Sequence, residues 1–136
     1  MSRTAAEALI ADYYAAFNAG EAAGMLALVS EEIEHRVNEG ATRRGRGKFS
    51  EFCAHMGVSY REELRDLVIF ASEDGSRAAA EFTVHGEYLQ TDPGLPEARG
   101  QRYVLPAGAF FDIREGKITR ITTFYNLSDW VAQVSA

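Results

Sequence analysis

The stretch from Gly100 to Ser128 constrains this chain most. It reads as two long strands joined by a tight turn at Glu115–Gly116, and Ser128-Asp129-Trp130 then opens a short closing helix. A hairpin of this length needs a partner layer for its apolar face. The first half of the 136-residue chain is rich in helical patterns. The arrangement that satisfies both is a curved sheet wrapped around helices. Such a cone has a hollow interior, so the functional question becomes which polar groups point into the hollow.

Length and charge narrow the classes. At 136 residues the chain is expected to form one domain, 1–136, with a single core. Its net charge of −6 disfavours a nucleic-acid or anionic-membrane surface, which attracts Lys and Arg. The lone Cys53 leaves no internal disulfide and fits a reducing compartment. Glu7 and Asp12 interrupt the N-terminal stretch where an export signal would need unbroken apolar residues. No run approaches the roughly 18 apolar residues of a membrane span. The expectation is a cytoplasmic protein with no nucleic-acid or membrane partner.

The elements follow from periodicity. Thr4-Ala-Ala-Glu7 has capping-box spacing, and Leu9, Ile10, Tyr13, Tyr14 and Phe17 then mark one apolar helix face, ended at Asn18-Ala-Gly20. A second helix is expected over roughly Glu21–Val29, with Met25, Leu28 and Val29 inward. Ile33 to Asn38 alternates as a short strand, and a polar loop follows to Gly47. Phe49, Phe52, Cys53 and Met56 give a third helix up to Gly57. A strand is expected over Arg65–Ala71, with a hairpin turn at Asp74-Gly75. In the next strand Phe82, Val84, Gly86 and Tyr88 share one face, and Glu81, Thr83, His85 and Glu87 the other. Pro93 and Pro96 make Gln90–Gly100 a loop. Helices early and antiparallel strands late indicate an α+β domain.

This order, with Ala11-Asp-Tyr-Tyr-Ala-Ala-Phe-Asn-Ala-Gly-Glu21 early and Glu115-Gly-Lys-Ile-Thr-Arg-Ile121 late, resembles the ketosteroid isomerase and SnoaL-like polyketide-cyclase branch of the nuclear transport factor 2-like superfamily. The resemblance covers nearly the whole chain. It implies a cystatin-like cone: a curved antiparallel sheet around about three N-terminal helices. Ketosteroid isomerases move a proton with an Asp base, while a Tyr and a protonated carboxylic acid hold the dienolate oxygen. Tyr13 matches the place of that Tyr. The base position falls on Val37 and the acid position at or near Ala109, neither of which can transfer or donate a proton. The tail Gly116–Leu127 is also similar to limonene epoxide hydrolases. Thr123 stands there in place of the water-activating carboxylate, and the Arg and Asp pair around Phe82–Val84 is absent.

The residues offer their own candidates. His35 reads as a proton-transfer group, since an imidazole titrates near neutrality, or as a structural His at the cone mouth. Asn38 reads as an orienting group or as a turn residue beside Gly40. Tyr13 is a donor by family position, or core with a satisfied hydroxyl. The family register places Tyr103, Leu105, Ala107, Ala109 and Phe111 on the pocket face. Phe17, Val37, Phe52, Phe82, Val84, Tyr88, Thr123, Tyr125 and Trp130 are the further expected lining. A mostly apolar pocket with a few hydroxyls suits a flat hydrophobic ligand carrying an oxygen or two.

The opposite face of the penultimate strand, Val104, Pro106, Gly108 and Phe110, is apolar enough to predict a homodimer through the outer sheet face. His55, His85 and His35 share no metal-ligand spacing, so neither metal nor cofactor is expected. Arg43-Arg44-Gly-Arg46-Gly-Lys48 reads as a solvated loop or a weak anion site. The functional expectation is an isomerase, cyclase or lyase acting on a small apolar carbonyl compound. Tyr13 would donate, His35 would shuttle the proton and Asn38 would assist. The alternatives are a non-catalytic binding protein and a structural dimer with a filled core.

Overall fold

The computed structural model describes residues 1–136. In chain order the elements are α1 (Arg3–Asn18), α2 (Ala22–Leu26), β1 (Val29–Val37), β2 (Arg43–Arg44), α3 (Arg46–Ser59), β3 (Tyr60–Ala71), β4 (Arg77–Tyr88), β5 (Gln101–Arg114), β6 (Lys117–Tyr125) and α4 (Leu127–Ser135). The strands form one curved, unclosed sheet in the order β2-β1-β6-β5-β4-β3. The β5–β6 hairpin lies at its centre, turning at Glu115 (φ 51°) and Gly116 (φ 76°), the left-handed pair that suits a twisted two-residue turn. Neighbouring strands are antiparallel except β1 and β6, which run parallel. The expected wholly antiparallel sheet is corrected there. The chain leaves β1 for the opposite edge of the sheet through β2 and α3, so β1 joins β6 side by side in one direction.

The core sits between α1 and the concave face. Tyr14 of α1 packs on Phe82 and Phe111, with ring centroids 5.3 and 6.0 Å apart. β4 alternates buried and less buried residues along its length, as its sequence pattern requires. A bulge between Arg65 and Val68, with Asp66 at φ 56°, bends β3. It also resets the phase. Leu64 is inward before the bulge, while Val68 and Phe70 are exposed after it.

Three boundaries differ from expectation. Ser2, not Thr4, caps α1: its Oγ accepts from the Ala5 N–H at 3.1 Å, which leaves Thr4 inside the first turn. α2 stops at Leu26, because the Leu28 carbonyl accepts from Ile118 N–H and Val29 is already the buried first residue of β1. β3 begins at Tyr60 with no loop after α3, five residues before the expected strand. The α4 end is tied across the sheet edge. Beyond Tyr125 there is no β6 to pair with β5, and the Gln133 side-chain amide takes its place. It accepts from Val104 N–H at 3.0 Å and donates to Val104 C=O at 2.9 Å.

Candidate functional site

Between α1, α3 and the concave sheet face lies a cavity of about 730 Å³. Twenty-three of its 31 lining residues are hydrophobic, so a ligand there sheds water chiefly against apolar surface. Tyr13, Phe17, His35, Val37, Phe52, Phe82, Val84, Thr123, Tyr125 and Trp130 all line it. Glycine and alanine at the rim, including Gly20 and Ala22 after α1 and Gly57 on α3, are exposed.

Five expected residues are placed elsewhere. Asn38 is bound into the sheet: its N–H donates to Thr123 C=O and its Oδ1 accepts from Tyr125 N–H, each at 2.9 Å. Its φ of 50° turns it back onto β6, where both its N–H and its side-chain oxygen are engaged by the strand backbone. Tyr88 is held behind the wall. Its hydroxyl donates to Pro96 C=O at 2.6 Å and accepts from Asp92 N–H at 2.9 Å. Ala109 is fully covered, and Phe111 backs the lining tyrosines, 6.2 Å from the Tyr13 ring. Tyr103 is buried beneath the lining and donates to Glu62.

His35 is 3% exposed, and its ring packs 4.9 Å from Phe49 and 4.5 Å from Phe52. Its Nδ1 is enclosed with no hydrogen-bond partner. Burial, and then the positive charge of Arg43, holds its pKa down at about 4. The ring is therefore neutral at physiological pH. Arg43 lies outside it, its guanidinium 4.5 Å above Phe52. Tyr13, 5% exposed, makes no hydrogen bond through its hydroxyl. Burial, with Tyr14 and Cys53 nearby, raises its pKa well above the ordinary value, so it keeps its proton. Burial also pushes the Cys53 thiol up to about 11, which leaves it unreactive at neutral pH.

The wall of the cavity formed by β3 is more polar than the sequence pattern indicates. Tyr60 donates to Asp92 at 2.8 Å, and Asp92 pairs with His55 at 3.1 Å, tying the loop after β4 to β3 and α3. Glu62, also lining the cavity, was not among the expected residues. Its Oε2 accepts from Tyr103 at 2.5 Å. Burial raises its pKa, against the lowering effect of that hydrogen bond. The signal was present as Tyr60-x-Glu62-x-Leu64, a period-two run in phase with β3, but Arg61 and Glu63 between them make the segment read as solvent-exposed.

Two cations of the basic cluster are engaged elsewhere, while Arg43 and Lys48 line a small surface cleft with Glu51. Arg44 pairs with Glu34, and Arg46 donates to Val29 C=O at 2.7 Å. On the outer face Val104 and Phe110 are about half exposed, and Phe110 lies 6.0 Å from Phe124. Val68 and Phe70 on β3 are exposed as well. No helix is long and apolar enough to cross a membrane.

The model of the SnoaL-like domain matches residues 10–121. A candidate polyketide cyclase from Silicibacter sp. TM1040 is 60% identical, with a TM-score of 0.96 over 100% of this chain and 99% of that one. A second candidate polyketide cyclase, from Pseudomonas putida KT2440, is 55% identical, with a TM-score of 0.95 over 98% of each chain. An NTF2-like protein from Burkholderia xenovorans LB400 shares the fold, at 17% identity and a TM-score of 0.77 over 98% of each chain. No curated protein matches the sequence.

Proposed function

The chain belongs to the SnoaL-like domain family, and from that premise we propose that it is an enzyme of the isomerase, cyclase or lyase kind. Its substrate is a small, mostly apolar carbonyl compound, and its chemistry is proton transfer next to the carbonyl. The observation that carries this reading is a pair of neutral polar groups in one apolar cavity: the Tyr13 hydroxyl, which has no protein partner, and the uncharged His35 ring.

Removing a proton beside a carbonyl moves negative charge onto the oxygen. Neutral donors already in place, in a chamber of low polarity, stabilise that charge without reorganisation. Tyr13 supplies an O–H. His35 has Nδ1 enclosed, which leaves Nε2 to meet a ligand. With a conjugate acid near 4, this imidazole is a weak base, so its part is better described as a neutral hydrogen-bonding group than as the proton shuttle. A second reading, a binding protein without catalysis, is favoured by Val37, an aliphatic lining residue where the resemblance places the steroid isomerases' base.

The test uses β-tetralone, an apolar bicyclic ketone, in heavy water, with deuterium uptake beside the carbonyl followed by NMR. The wild type is expected to catalyse uptake. Tyr13→Phe and His35→Ala are each expected to slow it by about 10²-fold with unchanged circular dichroism. Unchanged rates in both variants would remove the mechanism. Binding of the ketone with no uptake would select the binding-protein reading.

We place a homodimer interface on the outer sheet face, where Val68, Phe70, Val104, Phe110 and Phe124 leave apolar surface in water. Phe110→Glu is expected to sediment as a monomer at concentrations where the wild type is a dimer. An unaffected dimer would refute the assignment. The lone Cys53 fits a reducing compartment, and we place the protein in the cytoplasm.

A further inference from the structure

We propose that Glu62 is the catalytic base of this cavity, held in place by Tyr103, which reaches it across Gly86. The proposal rests on the proton-transfer reading above and supplies the group that His35 and Tyr13 do not.

The arrangement is built through strand register. Glu62 on β3 pairs with Gly86 on β4, and Gly86 pairs with Tyr103 on β5. The three residues therefore form one row across three strands. A Cβ at position 86 would overlap the Tyr103 ring. With glycine there, the ring lies flat over β4, and its hydroxyl donates to Glu62 on the strand beyond, at 2.5 Å. Trp130 braces the ring from α4 at 5.9 Å. One empty position thus lets a tyrosine span two strand spacings to hold a carboxylate.

A structural carboxylate in such surroundings would have a cationic partner, because a charge taken out of water is costly without one. Glu62 has none: Arg61 beside it pairs with Glu87 and is exposed. Its Oε1 accepts no hydrogen bond, and the residue lines the cavity. The groups that interact with it are Tyr103 on β5 and Tyr125 on β6, which interact in turn with Tyr60 on β3 and Asp92 in the loop after β4. All but Asp92 are neutral hydroxyls. A carboxylate desolvated in this way binds a proton more readily than one in water, while one hydrogen bond keeps it ionisable. That is the condition a general base needs near neutrality.

In the step itself, the Glu62 carboxylate takes a proton from the carbon next to the carbonyl. The C–H electron pair becomes the enolate π bond, and the carbonyl pair moves to oxygen, where Tyr13 donates. The protonated Glu62 returns its proton to the same carbon or to one further along the conjugated system, which restores the carboxylate. No co-reactant is consumed.

The experiment follows deuterium uptake by β-tetralone as a function of pH. Glu62→Gln, nearly the same shape, is expected to slow uptake by about 10²–10⁴-fold while ketone binding, read by fluorescence titration, is retained. In the wild type, uptake rises with pH as Glu62 ionises. Tyr103→Phe removes a hydrogen bond that favours the ionised form, so the rising limb moves to higher pH. Should Tyr103→Phe fail to fold, the wild-type limb is compared with the pKa of the carboxyl band that Glu62→Gln removes from the infrared spectrum, and the two must coincide. If Glu62→Gln exchanges as fast as the wild type while Tyr13→Phe is slow, the Glu62 assignment is overturned and the proton-transfer reading stands. If the wild type binds β-tetralone and exchanges nothing, both are overturned.

Discussion

Replacing Gly86 by Ala is expected to destabilise the protein by about 1–3 kcal/mol, a large effect for one methyl group. Gly86 has no unusual φ, so the cost is steric rather than conformational. The added Cβ would lie 2.2 Å from Cζ of the Tyr103 ring. That ring has little freedom to retreat: it is 2% exposed, Trp130 packs against it, and its hydroxyl is fixed on Glu62. Moving it breaks the hydrogen bond and leaves the Glu62 carboxylate without its donor, so the pH limb of proton transfer moves upward as stability falls. The cause can be isolated by removing the ring. In a Tyr103→Leu background, Gly86→Ala is expected to cost much less. The coupling between the two changes should fall within the roughly 0.5–3 kcal/mol seen for touching residues. Urea unfolding of the four proteins measures it. An equal cost for Gly86→Ala in both backgrounds would mean that the ring does not occupy that space.

His35→Phe is expected to alter how stability depends on pH. The ring already packs between Phe49 and Phe52, so a phenyl group fits the surroundings and removes the enclosed, unpartnered Nδ1. In the folded protein His35 titrates near 4 instead of 6.5, because the interior disfavours its charge. The unfolded chain therefore binds a proton that the folded protein refuses between those values. Stability from this residue is full above about 6.5, falls as pH drops towards 4, and changes no further below it. The displacement corresponds to about 3 kcal/mol. Denaturant unfolding of both proteins from neutral pH down to about 4 reads it. The variant is expected to be at least as stable at neutral pH and to gain on the wild type by about 3 kcal/mol across the range. A constant difference would mean that the His35 ring is hydrated. The same variant should lose proton-transfer activity, which would place this cost of stability at the site of function.

The sequence carried the cone through its strongest periodicities. The β5–β6 hairpin, the strict alternation of β4 and the apolar stripe of α1 each bury one face, and burial fixes their type. The resemblance put Val37 at the cavity, with His35 two residues earlier on the same face, and alternation put Val104 and Phe110 on the outer face. It failed where an inward position is charged. The expected strand began only at Arg65, because Arg61, Glu62 and Glu63 make the stretch before Leu64 look solvent-exposed, and Glu62 within it is the proposed base. Alternation tells which face a residue takes, not whether it reaches the surface of a cavity. Tyr88, Ala109 and Phe111 have the right phase but sit behind other side chains. For Asn38 the sequence left an orienting group and a turn residue side by side, because residue type alone does not fix the positive φ at the strand end. The parallel β1–β6 pair is a long-range contact that no local pattern encodes.

The infrared band of the carbonyl group in bound β-tetralone tests the central claim most directly. Tyr13 and the neutral His35 should polarise the bond, so the C=O stretch is expected at lower frequency than in hydrocarbon solvent. It should move back part of the way in Tyr13→Phe and in His35→Ala. A bound ketone whose band sits at the hydrocarbon position, and is the same in all three proteins, would contradict the claim.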